Sequence, residues 1–323
     1  MQNPINLNQS LYMRWYEEYR ERRYLQGQND EAVVQRAHDL ISNITTLEPN
    51  GKIGCIQGNV QSGNLLWRLF SHLLEESRLR TGSYQGLFIK YGIKETLAPK
   101  PTAPNSPASE AILSLFSEKP KHRYLFKFGE KRWMQELVDE GKLRISPASF
   151  YNDDSLGPAI ADDELSYDLA GDAFDEELLS LDPFKTRLID SFGPVTPRPQ
   201  KVVMQTNYYA WCASFGMNLR LFDDFNADSL VVIRDAGKFS RRLIQALRPH
   251  LGGWRFVPCA VHYFDPFHPS KKTKSVFACK HFKYLYQEEF RYVFIPTTPT
   301  KILHPIQLNL GPLKDIAELI PRN

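Results

Sequence analysis

Cysteine is scarce in this 323-residue chain. Its four residues, Cys55, Cys212, Cys259 and Cys279, lie far apart, with no Cys-x-x-Cys pair and no Cys/His spacing of the zinc kind. That argues against a disulfide framework or a structural zinc, and the expectation is reduced packing residues in a cytoplasmic protein. Long apolar runs are missing too. None approaches the ~18 residues a membrane helix needs, and the N-terminus lacks a basic segment followed by an apolar one, so neither membrane contact nor export is expected. Charge of one sign is also lacking, because 40 Lys and Arg offset 37 Asp and Glu to leave +3. So small an excess does not announce nucleic-acid binding, although residues 20–23, Arg241-Arg242 and residues 271–274 form local basic clusters. No internal repeat is visible.

What is present is ordinary globular material. A 42% hydrophobic composition, with 20 Phe and 15 Tyr, supplies a core for one large domain or two smaller ones. Leu11, Trp15 and Tyr19 recur every four residues, which predicts an amphipathic helix over 11–25 ending near Gly27. Asp30 is expected to cap a second helix through Ile41. A third is expected over 64–80, with Leu66, Phe70, Leu73 and Leu74 on its apolar stripe. Four prolines between 98 and 110 predict an extended linker. Beyond it, short aromatic and β-branched runs predict strands at 124–128, 142–146, 208–215, 230–233, 255–263 and 289–295, with helices at 131–140 and 236–247. This order is not a regular strand-helix alternation. The fold class expected is therefore α+β, with a mainly helical region over 1–97, the linker over 98–110, and a mixed, mostly antiparallel domain over 111–323.

Three motifs carry chemistry on paper and fail on inspection. Gly58-Asn59-Val60-Gln61-Ser62-Gly63-Asn64-Leu65 has P-loop glycine spacing after an apolar run. Asn64 and Leu65, however, replace the lysine and the hydroxyl that would hold phosphate and Mg²⁺, which leaves a glycine-rich turn into a helix. Asp153-Asp154 and Asp162-Asp163-Glu164 suggest a Mg²⁺-dependent nuclease, but consecutive acids read more simply as a solvated loop within 153–177. His262 and His268 flank Asp265 among prolines and read as surface histidines. No metal is expected.

The segment Gln287-Glu288-Glu289-Phe290-Arg291 opens a strand-like run. Strand alternation would put Gln287 and Glu289 on one face. Taken in order with Leu125-Phe126-Lys127-Phe128, Phe150-Tyr151-Asn152-Asp153 and Ala213-Ser214-Phe215, it resembles a widespread bacterial domain family of unassigned function. That family in turn looks like a branch of the ADP-ribosyltransferase fold. The resemblance covers 121–297 and leaves the N-terminal third aside. The altered serine strand, Cys-Ala-Ser-Phe, and the lysine in place of Arg or His depart from the best-known members. The resemblance implies a split β-sheet and NAD as co-substrate. It implies Glu289 and Gln287 as catalytic residues, and Lys127, Phe128, Asn152 and Ser214 as NAD-binding ones. It further implies a toxin or phage-defence effector that modifies RNA, DNA or protein and is restrained by an antitoxin or regulatory protein. A noncatalytic nucleotide- or nucleic-acid-binding module of the same fold, an NAD hydrolase and the nuclease remain as alternatives.

Overall fold

A computed structural model describes residues 5–47, 52–56, 61–92, 107–117, 124–157, 159–169, 186–190, 200–267 and 275–322. The chain divides into two compact units, Met1–Leu47 with Ile53–Lys100, and Glu48–Lys52 with Pro101–Asn323. The architecture is α+β, with N-terminal helices followed by a mixed, mostly antiparallel sheet domain. No helix among the described residues is long and apolar enough to cross a membrane.

The first unit holds α1 (Ile5–Arg22), α2 (Asp30–Ile44), the hairpin-like pair β1 (Thr45–Leu47) and β2 (Ile53–Cys55), α3 (Gln61–Thr81) and α4 (Gly86–Lys90). Trp15 and Tyr19 are buried as their spacing predicts. The cap of α2 is Asn29, one residue before the expected Asp30, because its side chain accepts from the Ala32 N–H at 2.8 Å. Asp30 instead meets Arg80 and Lys90. The stripe of α3 also departs from a purely apolar one. Beside Leu66, Leu69 and Leu73 it buries Glu75 and Glu76 completely. Arg20 and Arg78 hold Glu75, while Arg23, Arg80 and the Tyr19 hydroxyl hold Glu76, so neither charge is buried without partners.

The second unit runs α5 (Pro107–Ser117), β3 (Leu125–Gly129), α6 (Lys131–Glu140), β4 (Lys142–Pro147), β5 (Ser166–Leu169), β6 (Thr186–Asp190), β7 (Gln200–Met204), β8 (Tyr209–Ser214), α7 (Arg220–Asp224), β9 (Ser229–Ile233), α8 (Ala236–Leu247), β10 (Arg255–Ala260), β11 (His262–Phe264), β12 (Cys279–His281), β13 (Glu289–Ile295), β14 (Ile306–Asn309) and β15 (Ala317–Pro321). The expected linker is shorter than its composition suggests, since Pro107 opens α5; a proline at a first helical position forfeits no hydrogen bond. Residues 98–106 lie outside the described residues. The acidic stretch contains strand β5 as well as loop.

Strands β10, β13, β8, β3, β9 and β15 form one sheet in that order, every neighbouring pair antiparallel. Pro258 is tolerated in β10 because that strand is an edge. The sheet forks at β8: Tyr209 and Ala210 pair with β4, whereas Ser214 pairs with Phe126 of β3. β14 extends the β4 branch. Alternation sends Trp211, Tyr292 and Phe294 to one face, under Leu137 and Val138 of α6 and Phe239, Leu243 and Leu247 of α8. Each such buried side chain is worth about 1.5–3 kcal/mol. The other face carries Ala210, Val293 and Ile295 against β5, β7 and the turn Val276–Ala278. Helix α6 stops at Gly141, whose left-handed φ of 73° lets the chain turn straight into β4.

Candidate functional site

Strand β13 begins at Glu289. Its predecessor Glu288 has φ 43°, a left-handed conformation that ends the 3-10 turn Phe282–Gln287. Gln287 and Glu289 are therefore not alternate residues of one strand, as the sequence pattern predicts. The turn still brings both to one cavity of about 300 Å³. The Glu288 side chain packs over Gly216, where a Cβ would displace its carboxylate.

Ladder register defines the floor of the cavity. Phe126, Ser214 and Glu289 lie in one row across β3, β8 and β13, and paired residues share a face. Lys127 lies on the opposite face of β3, opposite Val231. It is nevertheless among the residues lining the cavity, and its ammonium donates to the Cys212 carbonyl at 2.8 Å and sits 5.4 Å from the Trp211 ring centre. Phe128 also lines the cavity, joining Phe126, Trp133, Met134 and Phe225 as an apolar wall. Asn152 does not line it: that residue is exposed, and its neighbour Tyr151 takes the position.

At the other end stands a buried charged cluster that sequence reasoning missed. Arg291 donates through Nε to Glu289 at 2.7 Å and through its terminal nitrogens to Glu164 and the Phe277 carbonyl. Lys280 donates to the second Glu289 oxygen at 3.0 Å and stands 4.0 Å from Asp162. Tyr263 accepts from the Glu289 backbone N–H at 2.7 Å, fixing the start of the strand. Arg291 had a signal in the sequence, as the i+2 neighbour of Glu289 on the same strand face, and Asp162 and Glu164 stood out only as an acidic run, not as ion-pair partners. Glu164 and Lys280 come from segments that meet only in the folded chain.

Three carboxylates thus face two cations. Burial alone would raise Glu289, but Arg291 and Lys280, with hydrogen bonds from Arg291 and the Cys212 thiol, more than offset it and hold the group well below the usual carboxylate range. Glu164 goes the other way: burial, reinforced by Glu289 and Asp162, pushes it up to about 7 against the pull of Arg291 and Lys280. Burial raises Asp162 as well. Lys127 is lowered by desolvation, which Glu289 only partly counters. The site therefore holds one firmly ionised carboxylate next to one that titrates near neutrality.

The loop over 159–164 is strapped onto this cluster. Gln287 donates to the Ala159 carbonyl at 2.9 Å, Tyr284 to the Ala161 carbonyl at 3.1 Å, and Lys280 and Arg291 face Asp162 and Glu164. Gln287 is thus an anchor for the cavity wall rather than an unengaged amide. The same pairings commit Asp162 and Glu164 to cations. Among the described residues no group of three His, Cys, Asp or Glu is placed to hold a metal ion. Asp153 and Asp265 accept from backbone N–H groups two residues on and so make local turns; His268 and residues 57–60 lie outside the described residues.

No family model, curated protein or solved structure matches this chain.

Proposed function

We propose that this chain is an NAD-dependent ADP-ribosyltransferase, a cytoplasmic toxin or defence effector that modifies a macromolecular acceptor. The supporting observation is Glu289: an ionised carboxylate in register with Ser214, at the charged end of an aromatic-walled cavity beside a forked antiparallel sheet. Transfer of ADP-ribose breaks the bond between nicotinamide and ribose through a transition state with positive charge on the ribose ring. The leaving nicotinamide needs no proton, so the task is to hold the ribose and stabilise that charge. A carboxylate has about four lone-pair sites, and Arg291, Lys280 and the Cys212 thiol occupy three. One remains for a ribose hydroxyl. Phe126, Phe128 and Trp133 offer ring surface to the nicotinamide or adenine, and Ser214 offers a hydroxyl to the same wall.

One observation favours a second reading, a noncatalytic nucleotide-binding module. Both oxygens of Glu289 already face cations, which weakens its pull on a developing positive charge. The two readings part in a single experiment: nicotinamide release from adenylate-labelled NAD incubated with cell extract, wild type beside Glu289→Gln. Release with label transferred to macromolecules, lost in the variant, supports the transferase. NAD binding without release supports the module. Wild-type turnover by the variant overturns the role of Glu289.

A further inference from the structure

The cavity that holds Glu289 contains two hydroxyls that the fold leaves uncommitted. Tyr151 and Ser214 both line it, and among the described residues neither hydroxyl makes a hydrogen bond. Buried polar groups are paired in nearly all folded proteins, so two unpaired hydroxyls on one cavity wall mark positions for ligand atoms. Neither oxygen is sealed inside the core, as the Tyr167 hydroxyl is. Both stay open to whatever fills the cavity.

Tyr151 is held from two sides. It ends the 3-10 turn Ala148–Tyr151 that follows β4, its ring meets Phe150 edge-on at 5.6 Å, and its backbone carbonyl accepts from the Asp162 N–H at 2.9 Å. The charges of Glu164, Glu289 and Arg291 act on its phenol, which puts the hydroxyl at the charged end of the cavity. Burial, and then the Cys212 thiol and these carboxylates, hold the phenol protonated above the usual tyrosine range. We propose that Tyr151 is a substrate-binding residue that donates to the 2′-hydroxyl of the nicotinamide-side ribose while that hydroxyl donates to Glu289. The assignment rests on the transferase reading and names the sugar group that this reading requires.

The two protein groups together select a hydroxyl. An ionised carboxylate only accepts and a protonated phenol beside it donates, so a ligand group between them must accept from one and donate to the other. A hydroxyl does both. An ammonium or guanidinium would leave the Tyr151 proton without an acceptor, and a phosphate would face the Glu289 carboxylate. The 2′-hydroxyl is the one nearest the ribose carbon where positive charge develops, so binding it brings Glu289 to that carbon. Each bond in the chain from phenol to hydroxyl to carboxylate polarises the next. Ser214, in register with Glu289, can donate to or accept from the neighbouring 3′-hydroxyl of the same sugar. A 2′-deoxy sugar would leave Tyr151 and the last free Glu289 site unpaired, which makes this end of the cavity selective for ribose.

The test compares the affinity of the full chain, wild type and Tyr151→Phe, for NAD and for NAD lacking that 2′-hydroxyl, with nicotinamide release in cell extract measured separately. Tyr151→Phe should weaken NAD binding about tenfold, and the deoxy analogue should bind both proteins alike. Phenylalanine keeps the ring and the backbone carbonyl, and undiminished binding of the analogue excludes a fold defect. Unchanged NAD affinity in the variant, or an equal loss for both ligands, would overturn the proposal. Selective loss without nicotinamide release by the wild type keeps the ribose contact and removes the transferase; release by the wild type with NAD affinity indifferent to Tyr151→Phe does the reverse.

Discussion

Ser214 and Glu289 face each other directly across β8 and β13, and Phe126 continues their row onto β3. Because paired residues share a face, the row fixes a hydroxyl and a carboxylate on one wall with no freedom of register. Glu289→Gln keeps the shape and removes the charge. Nicotinamide release should fall about 10²–10³-fold, as when one electrostatic contact is removed from an active site. Ser214→Ala should cost less, and NAD titration should show both variants still binding.

The pH dependence of stability should follow Glu164. Its folded value of about 7 lies above the ordinary 4.5. A group raised on folding contributes stability that is fully present below its unfolded value and lost as pH rises through its folded value. The melting temperature should therefore decline from about pH 4.5 through 7. Glu289, held low by Arg291 and Lys280, works in the opposite sense, its contribution being lost as pH falls below about 4.5. Calorimetry of Glu164→Gln should show a flatter profile across that window.

Gln287→Ala should loosen the strap without touching Glu289. The Ala159 carbonyl loses its donor, and amide hydrogen exchange over 159–165 should accelerate while the core strands stay protected. Unchanged exchange would show that Tyr284, Lys280 and Arg291 hold the loop alone.

In the first unit, Glu76→Ala removes a fully buried carboxylate and leaves Arg23 and Arg80 without it. The expected loss is about 3–5 kcal/mol in denaturant unfolding.

Gly141→Ala tests a close approach. The position is left-handed, and a Cβ would run into the Gly311 backbone, so the loss should exceed about 1 kcal/mol.

Much of the framework was legible because local rules and burial agree. The residues of 289–295 alternate between two packed faces, and the four-residue spacing of Phe239, Leu243 and Leu247 points to one. β14, β15 and β5 escaped notice: they are short, and β5 sits inside an acidic run. The site was legible in part. Lys127, Phe128, Ser214, Gln287 and Glu289 line one cavity, yet the face of Lys127 depends on register with β9, which no single strand encodes. The run before Glu289 has strand composition but folds as a 3-10 turn, opened by the His281 side chain accepting from the Lys283 N–H and closed by the positive φ of Glu288. Lys280 carries no local mark, and the acidic run that holds Glu164 gives no sign of its partner Arg291, which lies 127 residues along the chain.

The fork at β8 also has a consequence in time. β8 draws partners from β3, β4 and β13, so the cavity requires pairings that reach from Leu125 to Ile295. Such distant closures come late, since the entropy of joining the chain is spent before any contact rewards it. Synthesis proceeds from the N-terminus, so a nascent chain that has not yet released Glu289 has neither the carboxylate nor the floor around it. The chemistry of the cavity, whatever its substrate, is therefore absent until Glu289 has emerged and paired with β8.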